Sequence, residues 1–360
     1  MRPFPYDFVH LWASARVAYL GGNPYDPEQI APLMAQAGWP PEESISGFMH
    51  PFWSLATLTP FSLLPFSIAA ILWELAIIIL VVASLLLLRN EAVRRICGQL
   101  PSGPNILLVT ALFPPLLSTL AFGQSSAVLL VGCAGWLSFF CRGRFLTAGV
   151  LLSLTTLKPQ LFVPLYMWVF LSQIRNHEWR TVTGFGIGLF VQISMSLLIA
   201  PESANQWLIA MRSIPDITSN LPTPALGRII TSLLGGAPQT VSIVMLIGGA
   251  SAAVCALGFQ GRVAERSVLF FIPLGLLTTA YVWSHSFLVL LLPCMFHVAR
   301  LERNGERLVL ALSLVLATWG ILEICYVYPL APYSVILPLT ALLVGLRALR
   351  APSGAPTRGR

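Results

Sequence analysis

The sequence predicts an all-α polytopic membrane protein, and three observations carry that expectation. Of 360 residues, 56% are hydrophobic and only 10% charged, against about 25% charged in a soluble domain. Mean hydropathy is +0.79. Apolar runs of 13 to 23 residues recur along the whole length, divided by short polar stretches. Lipid offers backbone groups no partner, so such runs must be helices. A membrane β-barrel would instead show alternating segments of about ten residues.

In chain order the candidate spans are 66–88, 105–122, 124–140, 145–157, 161–174, 181–200, 240–258, 267–280, 286–299, 308–328 and 334–348, eleven in all. With residues 1–65 outside, alternation places sixteen of the 21 basic residues in cytoplasmic segments. The others are Arg2, Arg16, Lys158, Arg212 and Arg228, spread over longer outside segments, while all three aspartates also fall outside. This asymmetry follows the positive-inside rule. The net charge of +7 therefore reads as membrane topology, and no nucleic-acid partner is expected.

Several spans are short. Residues 145–157 extend only about 20 Å as a helix, less than a hydrocarbon core of about 30 Å. The pairs 145–157/161–174 and 267–280/286–299 are thus expected to stop below the outer surface, with "LKPQ" and "YVWSHS" lining a recess open to the outside. The expected organisation is one transmembrane domain over 1–348 and a disordered cytoplasmic tail over 349–360. External segments cover 1–65, with a helix in "DFVHLWASARVAYL", and 201–239, with an interfacial helix in "ESANQWLIAMRSI". The six cysteines show no CxxC or ligand-like spacing, so neither a disulfide framework nor a metal site is expected. The N-terminus lacks the apolar core of a cleavable signal peptide.

On this topology four polar features meet on one face: Asp7 with His10, Gln124 in "FGQSS", Lys158 with Gln160, and His285 in "VWSHS". Lys158 is the chain's one lysine, set in an apolar run beside twenty arginines elsewhere. Ionisable groups at membrane depth are costly and mark functional sites. Each also has a plainer explanation: a helix cap for Asp7, snorkelling for Lys158, hairpin carbonyls for Gln124, an interfacial histidine for His285. Their common placement favours a shared site. A carboxylate can accept a proton from an attacking hydroxyl, and a lysine with a histidine can stabilise a departing phosphate. That chemistry suits transfer from a phosphate-linked lipid.

At these residues the sequence resembles glycosyltransferase family 87, of the GT-C superfamily. The matching pieces are "DFVHLWASARVAYLGGNPYDP" (7–27), "HPFWSLATLTPFSLLPF" (50–66), "FGQSSAVLL" (122–130), "AGVLLSLTTLKPQLFVPLY" (148–166) and "YVWSHSFLVLLLP" (281–293). The resemblance implies a GT-C-like bundle in the plasma (inner) membrane. It implies transfer of a hexose, often mannose, from a polyprenyl-phosphate donor to a lipid or glycan acceptor on the non-cytoplasmic face, with inversion. Asp7 would be the general base, with Lys158 and His285 on the donor phosphate. His10, His50, Gln124, Gln160 and Trp283 would contact substrate, and no cofactor or metal is implied. The chain departs from the family pattern at His10-Leu11-Trp12 and His50-Pro51-Phe52. The family's first transmembrane helix precedes its aspartate, but six residues precede Asp7, so that helix is expected to be missing. A transporter or lipid flippase, or an inactive truncated homologue, are the competing expectations; a transporter would favour inverted repeats.

Overall fold

The computed structural model describes residues 4–40, 47–97, 103–212, 226, 247–251, 264, 267–279, 282–299, 309–310, 312–319 and 336–350. Among them the chain is helical throughout, with no strand. The expected span 240–258, most of 308–328 and the tail 349–360 lie largely outside the described residues.

Up to Ala210 the described residues supply twelve α-helices: α1 Phe8–Tyr19, α2 Pro27–Gln36, α3 Leu55–Ser62, α4 Phe66–Leu88, α5 Glu91–Cys97, α6 Gly103–Ala111, α7 Pro114–Phe122, α8 Ser126–Cys141, α9 Phe145–Leu152, α10 Val163–Arg175, α11 Arg180–Ile199 and α12 Ser203–Ala210. Further on, helix covers Ile272–Thr278, Leu291–Ala299 and Ile336–Arg350, with a 3-10 segment at Ser284–Leu290.

Among the described residues two helices, α4 and α11, are long and apolar enough to cross a membrane, or three spans if the bent pair α6–α7 is one. The 23 residues of α4 extend about 34 Å, enough for a bilayer core. The expected span 105–122 is broken by 55°, because Pro114 and Pro115 have no N–H for the preceding turn. Ser126–Cys141, Phe145–Leu157, Ser267–Thr278, Ser284–Ala299 and Ile336–Gly345 are shorter apolar helices. Of the eleven expected spans, 66–88 and 181–200 coincide with α4 and α11, and 105–122 with the bent pair. The chain is a helical membrane protein.

Packing centres on α8, buried along nearly its whole length against α4 and α9. Helices α9 and α11 run in parallel: Leu146 lies against Gly184 and Ser153 against Gly188. A Cβ on Gly184 would collide with the Leu146 carbonyl, and one on Gly149 with that of Thr181. Small residues let these backbones touch, the closest contact available to helices in lipid. The consequence for the site is that the 3-10 turn following α9 is held at a fixed height along α11.

Helix α1 is wedged at the corner between α3 and α4. Trp12 Nε1 donates to the Leu64 carbonyl at 3.0 Å and Arg16 Nη1 to the Ser62 carbonyl at 2.7 Å, satisfying groups that the end of α3 leaves free. Phe8 stacks on Trp73, ring centroids 5.2 Å apart.

Candidate functional site

Asp7 directly precedes α1 but does not cap it. Its backbone is already helical, φ −83° and ψ −20°, and its side chain bonds to no N–H of that helix. Instead its own N–H donates to the Phe122 carbonyl at 2.9 Å, tying the start of α1 to the end of α7. Gly123 makes the junction possible. It is left-handed, φ +63°, and a Cβ there would sit 2.6 Å from Phe8 Cβ; only glycine meets both demands. Trp73 Nε1 donates to the Gly123 carbonyl at 2.6 Å.

The turn delivers Gln124 between the two charges. Its Nε2 donates to Asp7 Oδ2 at 2.7 Å, and its Oε1 accepts from Lys158 Nζ at 2.9 Å. Lys158 Nζ also lies 3.2 Å from His285 Nε2. An ammonium only donates, so opposite charged Lys158 the imidazole presents a lone pair and is neutral. Four residues from four distant parts of the chain thus form one line, Asp7–Gln124–Lys158–His285. Lys158 is 9% exposed and His285 4%.

Burial raises the Asp7 carboxyl above its ordinary value, against the opposing pulls of the Gln124 hydrogen bond and the Lys158 charge. A carboxylate held there is a better proton acceptor than one in water. Burial and the Lys158 charge push His50 down to about 3, against a hydrogen bond to the Leu157 carbonyl.

Both ends of the line, Asp7 and His285, open on one cavity of about 670 Å³, lined also by Tyr6, Phe122, Trp283 and Trp319 among others. Hydroxyls stitch two of its walls together: Ser118 Oγ lies 2.9 Å from Ser284 Oγ, and Thr119 Oγ1 donates to the His285 carbonyl at 3.3 Å. Trp319 is anchored by donating from Nε1 to the Leu112 carbonyl at 2.9 Å, next to the break between α6 and α7.

Of the residues expected from sequence, Asp7, Gln124, Lys158 and His285 come together, and Trp283 lines the adjoining cavity. His10 packs edge-on against Trp39, centroids 4.7 Å apart. His50 donates from Nδ1 to the Leu157 carbonyl at 3.2 Å, one residue before Lys158. Gln160 neither joins the hydrogen-bonded line nor lines the cavity. Sequence reading overlooked Tyr6, Ser118 and Trp319 as cavity residues, and Trp53 and Gln192 around the lysine turn. It also passed over Glu74 in α4, whose Oε1 is buried without a hydrogen-bond partner. No group of three or more His, Cys, Asp or Glu that could hold a metal occurs among the described residues.

A buried line of carboxylate, amide, ammonium and imidazole beside a cavity, carried by apolar helices, defines a membrane protein with a built polar site. Comparison with protein families matches residues 48–267 to glycosyltransferase family 87. The match spans more than half of the chain, which belongs to that family. It includes Gln124 and Lys158; Asp7 and His285 lie outside the matched stretch. Comparisons with curated proteins and with solved structures gave no match.

Proposed function

We propose that this membrane glycosyltransferase moves a hexose, with mannose the leading candidate, from a polyprenyl-phosphate donor to a lipid or glycan acceptor, and does so at the non-cytoplasmic face of the plasma (inner) membrane. The observation that carries the reading is the unbroken connection from Asp7 through Gln124 and Lys158 to His285, with its two ends on one cavity.

In this reading Asp7 takes the proton of the acceptor hydroxyl, whose oxygen bonds to the anomeric carbon of the sugar. The bond from that carbon to the phosphate oxygen breaks, and its electron pair leaves with polyprenyl phosphate. Attack opposite the leaving group inverts the anomeric centre. Lys158, a compact point charge, neutralises the charge gathering on the phosphate, and His285 steers the ammonium. Such fixed charges are worth most in a site that water does not fill. Gln124 holds base and cation at a set separation, so that neither collapses onto the other as a simple ion pair. Tyr6, Trp283 and Trp319 give the cavity aromatic walls suited to a sugar ring or the first isoprene units.

The positive-inside distribution of arginines supports the assignment of sides. The domain is read as one bundle over 1–348, with external segments 1–65 and 201–239. The test is to reconstitute purified protein in liposomes with polyprenyl-phosphate mannose and envelope lipids, and to look for a covalent glycolipid by mass spectrometry. Product from the lipid-linked donor, and none from a nucleotide sugar, is expected. Solute or lipid movement without a covalent product would replace this reading with transport.

A further inference from the structure

Lys158 is reached through an irregular piece of backbone. The 3-10 segment Ser153–Leu157 ends at Lys158, where φ is −135° and ψ 69°, and Pro159 follows with no N–H. Within the turn the Ser153 carbonyl accepts from Thr156 Oγ1 at 2.6 Å and the Thr155 carbonyl from the Lys158 N–H at 3.2 Å; the Thr156 and Leu157 carbonyls need partners from elsewhere.

Three side chains from outside the turn bond its carbonyls. Gln192, in the buried stripe of α11, donates from Nε2 to the Ser153 carbonyl at 3.2 Å and to Ser153 Oγ at 3.1 Å. Its remaining contact is to the Gly188 carbonyl at 3.3 Å. Trp53 Nε1 donates to the Thr156 carbonyl at 3.0 Å. His50 Nδ1 donates to the Leu157 carbonyl at 3.2 Å. The 50s segment is itself fastened to α11, since the Ala56 N–H donates to Ser196 Oγ at 3.0 Å. Trp207 packs edge-on against Trp53, centroids 5.2 Å apart.

We propose that Gln192 and Trp53 are positioning residues for Lys158: they fix the backbone of its turn so that the ammonium reaches Gln124 and His285. A lysine side chain has a long, freely rotating stem, so its head group is placed only as well as its Cα. The clamp itself stands on geometry; its consequence for turnover rests on the glycosyl-transfer reading above. Gln192 could also serve as ordinary glue between α9 and α11. The distinction is that it bonds the first residue of the 3-10 turn, and that Trp53 bonds the same turn from a different element.

The experiment uses Gln192→Leu and Trp53→Phe, which remove the Gln192 amide and the Trp53 indole N–H and leave apolar side chains, in the full chain in nanodiscs. Because Lys158 is the only lysine, acylation by an amine-reactive ester, read on the peptide carrying it, reports its freedom without any enzymatic assay. Labelling about tenfold faster than in the parent is expected in both variants, as is faster amide exchange confined to residues 153–158. In the transfer assay kcat should fall about 10- to 100-fold with donor KM unchanged, as expected for misplacement of a group by about an ångström. Unchanged labelling and exchange would overturn the clamp. Exchange rising across the whole chain, or kcat unaltered despite faster labelling, would overturn the positioning role. If labelling accelerates while the parent protein transfers no hexose, the clamp stands and the catalytic reading fails.

Discussion

Lys158 Nζ lies 3.2 Å from His285 Nε2 across 127 positions of chain, and nothing local holds the two together. The contact exists because α9 is locked to α11 and because α7 is stitched to the 284–290 segment. The site is a product of helix packing, and its predictions follow from what each partner can donate or accept.

Asp7→Asn keeps an oxygen to accept from Gln124 but cannot take a proton. Transfer should fall by about 10²- to 10⁴-fold, the usual worth of a general base, with expression and donor KM preserved. Normal turnover by this variant, measured on the reconstituted protein, would remove Asp7 from the chemistry.

Lys158→Ala should lose about 10²- to 10³-fold in kcat, the scale of removing one donor to a developing charge. Lys158→Arg should recover only part of it, since a planar guanidinium cannot occupy the small space shared by Gln124 and His285. Full rescue by arginine would show that charge alone suffices.

Burial raises Asp7 above its ordinary pKa, while Gln124 and Lys158 pull it down. Activity should therefore decline on the acid side with a midpoint above the usual carboxylate value, because the base must be ionised. Gln124→Leu removes one of the lowering influences and should move that limb to higher pH. The stability sign runs the other way: the folded protein holds this proton more tightly than the unfolded chain, so ionisation disfavours the fold as pH rises. Asp7→Asn should accordingly raise the melting temperature near neutral pH, and the gain should vanish in acid. Thermal melts across pH check both.

Gly123→Ala places a methyl against Phe8 and Pro5 at a left-handed residue. The conformation alone costs about 1–2 kcal/mol. The turn also carries Gln124, so kcat should drop together with the melting temperature. A variant that keeps both would mean the junction is looser than its contacts indicate.

Much of this was legible in sequence. A lone lysine in an apolar run and an isolated Gly-Gln turn stand out because polar groups at membrane depth need reasons, and hydropathy runs located α4 and α11 within a residue or two. The break at Pro114-Pro115 was written as well, yet read as one span, since hydropathy does not register a bend. Trp53 and Gln192 escaped notice because tryptophan at a membrane edge and glutamine in a helix are common, and their targets are backbone carbonyls, which carry no sequence signature. Trp319 was hidden for the same reason: its partner is a carbonyl freed by a proline break 207 positions away.

The most direct measurement is a structure of the protein with polyprenyl phosphate bound. The phosphate should sit within about 3 Å of Lys158 Nζ, the distance of a charge-assisted hydrogen bond, with His285 beside it and the Asp7 carboxylate facing the place of the sugar. A phosphate bound away from Lys158, with the lipid tail leaving the cavity between α7 and the 284–290 segment empty, would contradict the assignment.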